Sequence, residues 1–367
     1  MLIFNRKRME FLPVSAESIE KAADILRSGG IVAFPTETVY GLGADAYNPE
    51  ALAKVFSVKA RPLFDPLIIH IAALETLEKT ANLSLLSEKA RKTLFTLAEN
   101  LWPGPLSLVL PKNEKIPGIA TAGLRTAAIR FPDNEAAQKL ISLSTGALAA
   151  PSANPFGSLS PTRAEHVRDA LGKKIDMILD GGQTRVGLES TVLDLTDEKI
   201  SILRHGGTPK EAIEKLIGPV QDGSIAVRAD PASPGQMESH YAPKTPLVAY
   251  PYEKFIEQPY IAQDSAFLFF DGATRDAWLS RQKKKPSAKT TIKVLSEKGD
   301  DIEAASRLFE VLHEIDLSNR EAKWNISILF AQLAPVRGLG QAINDRLFRA
   351  SIKNGNFDSA AHVDNLL

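Results

Sequence analysis

Residues 145–163, TGALAAPSANPFGSLSPTR, carry the pattern on which the fold depends. The apolar run 147–150 predicts a buried strand, because turn-forming residues bound it. Pro161, and the pair Thr162 and Glu165, predict a helix start with a Thr-x-x-Glu capping box. A hydroxyl-rich loop before a helix start suits an anion, since free N–H groups and the helix dipole meet there. By itself the segment is equally well interpreted as an ordinary polar loop.

Length and composition exclude several classes of protein. The 367 residues carry 44 basic and 44 acidic side chains, and this zero net charge argues against a surface built for tight, nonspecific nucleic-acid binding. The absence of cysteine rules out disulfides, thiolate metal sites and cysteine nucleophiles. The N-terminus lacks the order of a secretory signal, and no apolar run approaches membrane-spanning length. We therefore expect a soluble, cytoplasmic protein with two domains.

The sequence divides into four regions. Residues 1–217 alternate strand and helix patterns, and residues 218–246 are rich in Pro, Gly and Ser, as in an interdomain linker. Residues 247–352 again alternate strands with helices, which predicts a small parallel α/β unit, and 353–367 are a tail. In the first region we predict strands at 31–34, 67–71, 106–111, 126–132, 147–150, 176–180, 190–196 and 200–205. Helices are predicted at 16–28, 49–58, 84–99, 134–143, 162–171 and 208–217.

The glycine-containing segment 35–46, PTETVYGLGADA, is interpreted as a loop. Gly41, Gly43 and Ala46 match the spacing of a dinucleotide-binding fingerprint. Pro35, however, separates the strand from the glycines, and the next helix begins too late for that motif. The chain has no GxxxxGK[ST] phosphate loop and no GxSxG nucleophile motif, so neither a P-loop enzyme nor a serine hydrolase is indicated.

Four cations are candidates for binding a phosphate or a carboxylate. Lys59 and Arg61 lie one residue apart at a predicted helix end, where they are either solvated surface charges or phosphate ligands. Arg130 and Arg204 belong to apolar strands, and a buried arginine needs an anionic partner, which is either a carboxylate of the protein or a ligand. His70 closes an apolar strand as a core residue or a catalytic one.

These residues together indicate a nucleotide site. The histidines are scattered, with no HxxxH or HxH pair, so we predict no protein metal site. Cations and hydroxyls without a nucleophile suit phosphoryl or nucleotidyl transfer, in which a protein needs mainly to position groups and stabilise charge.

Several segments, in a fixed order, resemble the threonylcarbamoyl-AMP synthase family in its long, two-domain form. The first domain of that family is YrdC-like, and the signature KxR…SxN corresponds to Lys59, Arg61, Ser152 and Asn154. The matching segments are PTETVYGLG (35–43), KARPLFDPLIIHI (59–71), LWPGPLSLVL (101–110), AAIRFP (127–132), APSAN (150–154), ESTVLDL (189–195) and LRHG (203–206). SPGQMESHYAP (233–243) resembles the family's linker, and EVLHEIDLSN and GLGQAINDRLFRA resemble its C-terminal domain.

The resemblance implies a fold and a reaction. The fold is a twisted mixed α/β sheet domain followed by a small Rossmann-like parallel α/β domain. The reaction converts L-threonine, bicarbonate or CO2 and ATP, with Mg2+, to threonylcarbamoyl-AMP and pyrophosphate. The product serves the threonylcarbamoyladenosine modification of tRNA, so downstream threonylcarbamoyl-transfer proteins are the implied partners. A monomer without membrane contact or tight direct nucleic-acid binding is expected.

The resemblance also implies site residues. Lys59 and Arg61 would be catalytic, and the linker would close over the site as a lid. The residues implied to contact ATP are Lys59, Arg61, Asp65, Thr126, Ser152, Asn154, Ser160, Arg204, His240 and Tyr241. Those implied to hold threonine are Thr38, His70, Arg130, Ser190 and the backbone of Ala150. The family commonly has asparagine at the position of Asp65, so an extra negative charge would lie near the triphosphate.

Other functions compete with this interpretation. A non-enzymatic RNA-binding module would use the basic segment 281–293, which is interpreted as a loop with little structure, but zero net charge and few interleaved aromatics weigh against it. A carbamoyl-adenylate enzyme of the hydrogenase-maturation type uses cysteine zinc sites, which this chain lacks. A nucleotide-sensing regulator would differ from the synthase in lacking threonine- and bicarbonate-dependent pyrophosphate release.

Overall fold

The computed structural model describes residues 9–197, 199–223, 241–259, 265–283, 290–321 and 326–352. These residues form two compact units. The first unit contains residues 9–156 and 160–223, and the second contains residues 157–159 and 241–352. Most of the predicted linker, including 224–240, lies outside the described residues, so its action as a lid stays a prediction.

The first unit is built on one mixed sheet. Its strands within the described residues are β1 (Glu10–Pro13), β2 (Val32–Phe34), β3 (Gly41–Asp45), β4 (Ile68–Ile71), β5 (Leu106–Pro111), β6 (Thr126–Arg130), β7 (Ala147–Ala149), β8 (Met177–Asp180), β9 (Thr191–Asp194), β10 (Ser201–Arg204) and β11 (Gln221–Asp222). Their order is β1-β8-β2-β3-β7-β4-β6-β5-β9-β10-β11. The pairs β1/β8, β2/β8, β4/β6, β5/β9 and β10/β11 are parallel, and the remaining pairs are antiparallel. The predicted mixed sheet is confirmed.

Helices of the first unit follow these strands. They are α1 (Ala16–Arg27), α2 (Pro49–Lys59), α3 (Leu77–Thr80), α4 (Glu88–Leu101), α5 (Glu135–Leu143), α6 (Ala164–Leu171) and α7 (Lys210–Ile217), with 3₁₀ turns at Leu74–Thr76, Leu83–Leu85, Gly118–Thr121 and Gly172–Lys174. The side chains of Ser15 and Asn48 accept hydrogen bonds from backbone N–H groups at the starts of α1 and α2. These caps explain why both helices begin where the chain leaves a strand or turn.

Two apolar clusters cover the sheet. One contains buried residues of α1 and α5 together with Val32 and Phe34 of β2. The other, larger cluster contains buried residues of α2, α4, α6 and α7 together with Ala33, which lies between Val32 and Phe34 in β2. Because alternate strand residues point to opposite faces, the two clusters occupy opposite faces at this strand.

Two predictions about local structure are wrong. The segment interpreted as a loop contains β3, because a glycine at position 43 lets the strand approach Phe34; a Cβ there would lie 2.8 Å from the ring. The predicted capping box at Thr162 and Glu165 does not form. Instead α6 begins at Ala164, and the preceding residue, Arg163, makes no side-chain cap.

The second unit contains a separate parallel sheet. Its strands are β12 (Leu247–Tyr250), β13 (Ser265–Asp271), β14 (Thr291–Ser296) and β15 (Ile328–Gln332), in the order β12-β15-β13-β14, and all three pairings are parallel. The helices are α8 (Tyr252–Phe255), α9 (Gly272–Arg281), α10 (Asp301–Arg320) and α11 (Gly340–Ile352). The predicted parallel α/β unit is confirmed. Helix α9 was not predicted, and the C-terminal end of the predicted loop 281–293 belongs to β14.

Candidate functional site

A row of polar side chains crosses five neighbouring strands of the first unit. His70 on β4 pairs in register with Arg130 on β6, and Arg130 pairs with Ser107 on β5. Ser190 lies directly before β9, and Arg204 ends β10. All five residues are buried. Sequence positions far apart therefore converge on one region because the strand order brings them side by side.

Hydrogen bonds connect Arg204, Ser190 and Ser107 at the β10 end of this row. Arg204 donates to the Ser190 carbonyl from Nε (3.2 Å) and Nη2 (2.9 Å), and Nη2 also lies 3.2 Å from the Ser190 hydroxyl oxygen. That hydroxyl lies 2.8 Å from the hydroxyl of Ser107. An irregularity in the β9/β10 register between Ile202 and Arg204 accompanies this arrangement. These hydrogen bonds orient the guanidinium of Arg204 at the end of the row.

A small apolar cluster lies beside the polar row. It consists of Ile68, Val109, Ala128, Val192 and Leu203. Side chains two positions apart in a strand lie on the same face of the sheet. The first four residues of this cluster therefore share a face with His70, Ser107, Arg130 and Ser190, respectively paired as 68/70, 109/107, 128/130 and 192/190. This face therefore combines an apolar floor with charged and hydroxyl groups, the usual composition of a small-molecule site.

Arg130 has a partner that the sequence did not identify. Its Nη2 lies 2.6 Å from Oε1 of Glu37, and its Nε donates to the carbonyl of Gly104 at 3.4 Å. Both side chains of the Arg130–Glu37 pair are almost fully buried. The sequence left open whether Arg130 faces a carboxylate of the protein or a ligand, and the structure pairs it with the carboxylate of Glu37.

The imidazole of His70 is uncharged at neutral pH. Burial is the main cause that lowers its pKa to about 3, and the nearby positive charge of Arg130 acts in the same direction. Its Nδ1 lies 3.1 Å from the carbonyl oxygen of Ile68, which favours the tautomer with the proton on Nδ1. The ring also meets Phe34 edge to face.

Two loops face each other through backbone hydrogen bonds. The N–H of Tyr40 donates to Pro161, and the N–H of Ala153 donates to Tyr40, both at 2.8 Å. The carbonyls of Glu37 and Thr38 accept from residues 186 and 187. Segment 36–40 is therefore fixed between the loop of residues 150–163 and the segment before β9.

Lys59 holds one of these loops. It is 1% exposed, and its ammonium group donates to the carbonyl of Ser152 at 2.5 Å and to the carbonyl of Asn154. Burial, with help from the charge of Arg61, places the pKa of Lys59 well below its ordinary value. The alternative that Lys59 and Arg61 are solvated surface charges is wrong, because both side chains are buried.

Arg61 organises the loop between α2 and β4. It donates from Nε to the carbonyl of Asp65 at 2.9 Å and from Nη2 to the carbonyl of Pro66 at 2.7 Å. Its Nη2 also lies 2.9 Å from Oδ2 of Asp65. Burial raises the pKa of Asp65, while the positive charges of Arg61, Lys59 and Arg204 act against that rise. The charges of these three residues therefore act together on one buried carboxyl group.

Family models match both units. A model described as "Telomere recombination", for the Sua5/YciO/YrdC group, matches residues 24–206, and one described as "Threonylcarbamoyl-AMP synthase, C-terminal domain" matches 208–351. A threonylcarbamoyl-AMP synthase from Pyrococcus abyssi is 39% identical over 91% of this chain and 94% of that relative. The chain belongs to the threonylcarbamoyl-AMP synthase family. A synthase of the same name from Bacillus subtilis is 38% identical over 93% of this chain and 94% of its own.

A solved structure supports membership of the synthase family. The crystal structure of P. abyssi Sua5, described as complexed with L-threonine, aligns with a TM-score of 0.78 and 36% sequence identity. The alignment covers 95% of this chain and 98% of that one. The two-domain architecture is thus shared along almost the whole length.

The remaining residues implied by the synthase family lie on the same loops and strands. Ser160 is buried and donates to Glu189, a carboxylate that the sequence did not single out. Ser152 forms an antiparallel bridge with Gly41, and the N–H of Ala150 donates to Ile68. Thr38 is buried with its hydroxyl 2.8 Å from that of Thr36, Asn154 is buried in the Lys59-bound loop, and Thr126 begins β6 half-buried.

Two of the residues implied to contact ATP, His240 and Tyr241, belong to the predicted linker. His240 lies outside the described residues. Tyr241 belongs to the second unit, where its ring centre lies 5.8 Å from that of Phe309 and 5.0 Å from the guanidinium carbon of Arg346. Its contact with ATP stays a prediction.

The described residues contain neither a membrane-spanning helix nor a cluster of metal-ligating side chains. No helix in that part of the chain is long and apolar enough to cross a membrane. The same residues contain no group of three or more His, Cys, Asp or Glu side chains arranged to hold a metal ion.

Proposed function

We propose that the chain makes threonylcarbamoyl-AMP and pyrophosphate from L-threonine, bicarbonate or CO2 and ATP. The observation that carries this proposal is the juxtaposition of two cationic centres in the first unit. The charges of Lys59, Arg61 and Arg204 act on Asp65, while Arg130 lies with His70 in the same polar row as Arg204. One centre suits a triphosphate and the other an amino acid.

The nucleotide would occupy the first centre. Backbone carbonyl oxygens orient the guanidinium groups of Arg61 and Arg204, and Arg61 is also paired with the carboxylate of Asp65, which the phosphates would have to share or displace. Ser152, Asn154, Ser160 and Thr126 would supply polar contacts around the phosphates and the nucleoside. Lys59 would act partly through the loop whose carbonyls it binds, and its charge would be stabilised when phosphates arrive.

Threonine would occupy the second centre. Arg130 is suited to its carboxylate, through a charge-assisted fork. Thr38, Ser190, neutral His70 and the backbone of Ala150 would surround the remainder of the substrate. Because the carboxylate of Glu37 already neutralises Arg130, threonine binding must rearrange or share that pair.

The chemistry needs no covalent enzyme intermediate. The threonine nitrogen adds to CO2 to give a carbamate, and a carbamate oxygen attacks the α-phosphorus of ATP, so that pyrophosphate leaves. Lys59 and Arg61 would stabilise the charge that develops on the phosphates. Residues of the linker, including His240 and Tyr241, would exclude water from the labile product.

Mg2+ would enter with the nucleotide. The described residues offer no three-carboxylate or histidine cage for it, so phosphate oxygens and water would supply most ligands. It would neutralise part of the triphosphate charge when bound.

The product would pass to proteins that transfer the threonylcarbamoyl group to tRNA. The zero net charge is consistent with handing over a small molecule rather than binding tRNA tightly. We propose that the chain acts as a cytoplasmic monomer.

The decisive experiment is detection of threonylcarbamoyl-AMP by mass spectrometry after mixing the protein with ATP, Mg2+, threonine and bicarbonate. Product should depend on all four components, and its absence would overturn the proposal. Arg61→Ala should lower turnover by about 100-fold or more, with little loss of threonine affinity, because Arg61 serves the phosphates. Arg27→Ala, which removes an exposed arginine at the end of α1, is the control. Equal losses of turnover and threonine affinity in Arg61→Ala would refute its assignment.

A further inference from the structure

Glu37 is a buried acidic residue without a role in the reaction proposed above. It lies in the segment between β2 and β3, is 2% exposed, and its backbone carbonyl accepts from the N–H of Val186 at 2.8 Å. Its side chain lies beside Arg130, the residue proposed to bind the threonine carboxylate. The carboxylate of Glu37 is therefore next to the position where the α-carbon of the substrate would lie.

The surroundings of this carboxylate are incomplete. Arg130 approaches to 2.6 Å, but without hydrogen-bond geometry, and neither carboxylate oxygen has a hydrogen-bond partner among the described residues. A buried carboxylate normally accepts several hydrogen bonds, because it has lost those of water. A donor that carries positive charge would complete the site.

We propose that Glu37 receives the ammonium group of the amino-acid substrate while Arg130 receives its carboxylate. This inference rests on the proposed function, since it assigns threonine to the same centre. An amino acid carries both charges on one carbon, and the Arg130–Glu37 pair presents the two complementary charges side by side. The pair thus recognises an α-amino acid and disfavours a ligand that carries a carboxylate alone.

The same carboxylate is placed to accept a proton. The nitrogen must lose a proton before it can attack CO2, so one N–H bond of the ammonium group breaks and its electron pair stays on nitrogen. The proton binds a carboxylate oxygen of Glu37. After the N–C bond has formed, the nitrogen gives a second proton to water and the carbamate remains.

Binding of two ligands separates recognition from a merely structural role. L-Threonine and (R)-3-hydroxybutanoate share the carboxylate and the hydroxyl group, but only threonine has an ammonium group. By calorimetry, the unaltered protein should bind threonine about 30-fold or more tightly than (R)-3-hydroxybutanoate. Equal affinities would overturn the inference without any variant.

Glu37→Gln should reverse this preference. Threonine should bind about 30-fold or more weakly, whereas (R)-3-hydroxybutanoate should bind at least as well as before, because Arg130 is no longer neutralised. If Glu37 only orients Arg130, both ligands weaken by the same factor, and the inference fails. Glu37→Asp keeps the charge and should retain part of the preference for threonine. Asp133→Asn, which neutralises an exposed acid of the same unit, should change neither affinity.

The pH dependence of turnover tests the proton transfer. In Glu37→Gln, kcat/KM for threonine should rise across the alkaline range, because only threonine that has lost its proton in solution can react. A profile parallel to that of the unaltered protein would refute the transfer. The two proposals fail differently: absence of product from the unaltered protein refutes the proposed function, whereas full threonine affinity in an active Glu37→Gln variant refutes this inference alone.

Discussion

At the scale of single residues, the burial of His70 has a measurable consequence for stability. Its folded pKa of about 3 lies below the ordinary 6.5, so between these values the unfolded chain binds a proton that the folded protein does not. The stability from neutral His70 is complete above pH 6.5 and is lost as the pH falls toward 3. His70→Asn should therefore flatten the decline of unfolding free energy between pH 6 and 4, by about 1.4 kcal/mol per pH unit.

Urea unfolding at several pH values, followed by circular dichroism, measures this difference. Asparagine can still donate to the carbonyl of Ile68, so the variant should fold at neutral pH. Parallel stability curves for the two proteins would mean that His70 titrates normally in the folded state.

Candidate site residues could be identified from the sequence where a charged residue interrupts an apolar strand. Arg130 and Arg204 stand out because a charge within an apolar strand needs an explanation, and the structure supplies one in the polar row. Glu37 had no such signal, because it lies among turn-forming residues where an acid is ordinary. Its importance comes from a contact with Arg130, 93 positions away, which local pattern does not encode.

At the scale of structural elements, the loop between α2 and β4 permits a prediction for ATP binding. Asp65 adds negative charge beside Arg61, Lys59 and Arg204, whereas the two carbonyls that orient Arg61 belong to the backbone. Asp65→Asn should therefore keep the loop and tighten ATP binding by about fivefold, a gain of ~1 kcal/mol. In the unaltered protein, affinity should also rise as the pH falls through the raised pKa of Asp65, and the variant should lack that rise.

Fluorescence titration with ATP and with AMP checks this prediction. AMP should respond less than ATP, because it carries less phosphate charge. Asp133→Asn provides the matched control at an exposed position. Weaker ATP binding by Asp65→Asn would show instead that the carboxylate is needed to hold Arg61.

Elements were predicted where periodicity was strong and missed where it was not. Strand β5 and helix α5 follow their apolar patterns closely. Strand β3 was missed because its glycines resemble a turn, although they serve close packing against Phe34. The capping box failed because the N–H of Thr162 donates to Nδ1 of His166 in α6. The carbonyls of Pro161 and Thr162 accept from Tyr40 and Thr184 in other loops.

At the scale of the whole molecule, each unit has its own sheet and apolar core. Composition and alternating patterns were sufficient to predict two α/β regions and the parallel sheet of the second. Strand order could not be predicted, since β8 enters between β1 and β2 from more than 140 positions away. A substitution that acts on one core should therefore leave ligand binding in the other unit intact.

Asp316 on α10 offers such a substitution. Its carboxylate accepts the N–H groups of Lys244 (2.7 Å) and Thr245 (3.0 Å) and the Thr245 hydroxyl (3.0 Å), which fixes the chain as it enters β12. Asp316→Ala should destabilise the second unit by about 2 kcal/mol, because Thr245 is left with unpaired buried groups. Glu314 lies on the same helix, and Glu314→Ala, which removes its exposed ion pair with Lys293 of β14, should cost less than about 1 kcal/mol.

Hydrogen exchange resolved by peptide distinguishes local from global effects. In Asp316→Ala, protection should fall in β12, β15 and α10, because Asn319 on that helix also bonds both Thr245 and Ile326 at the entrances of the two strands. Protection in β5 and β6, and the affinity for threonine, should stay as in the unaltered protein. Loss of protection in both units together would mean that the chain unfolds as one cooperative body, and the independence of the two cores would be refuted.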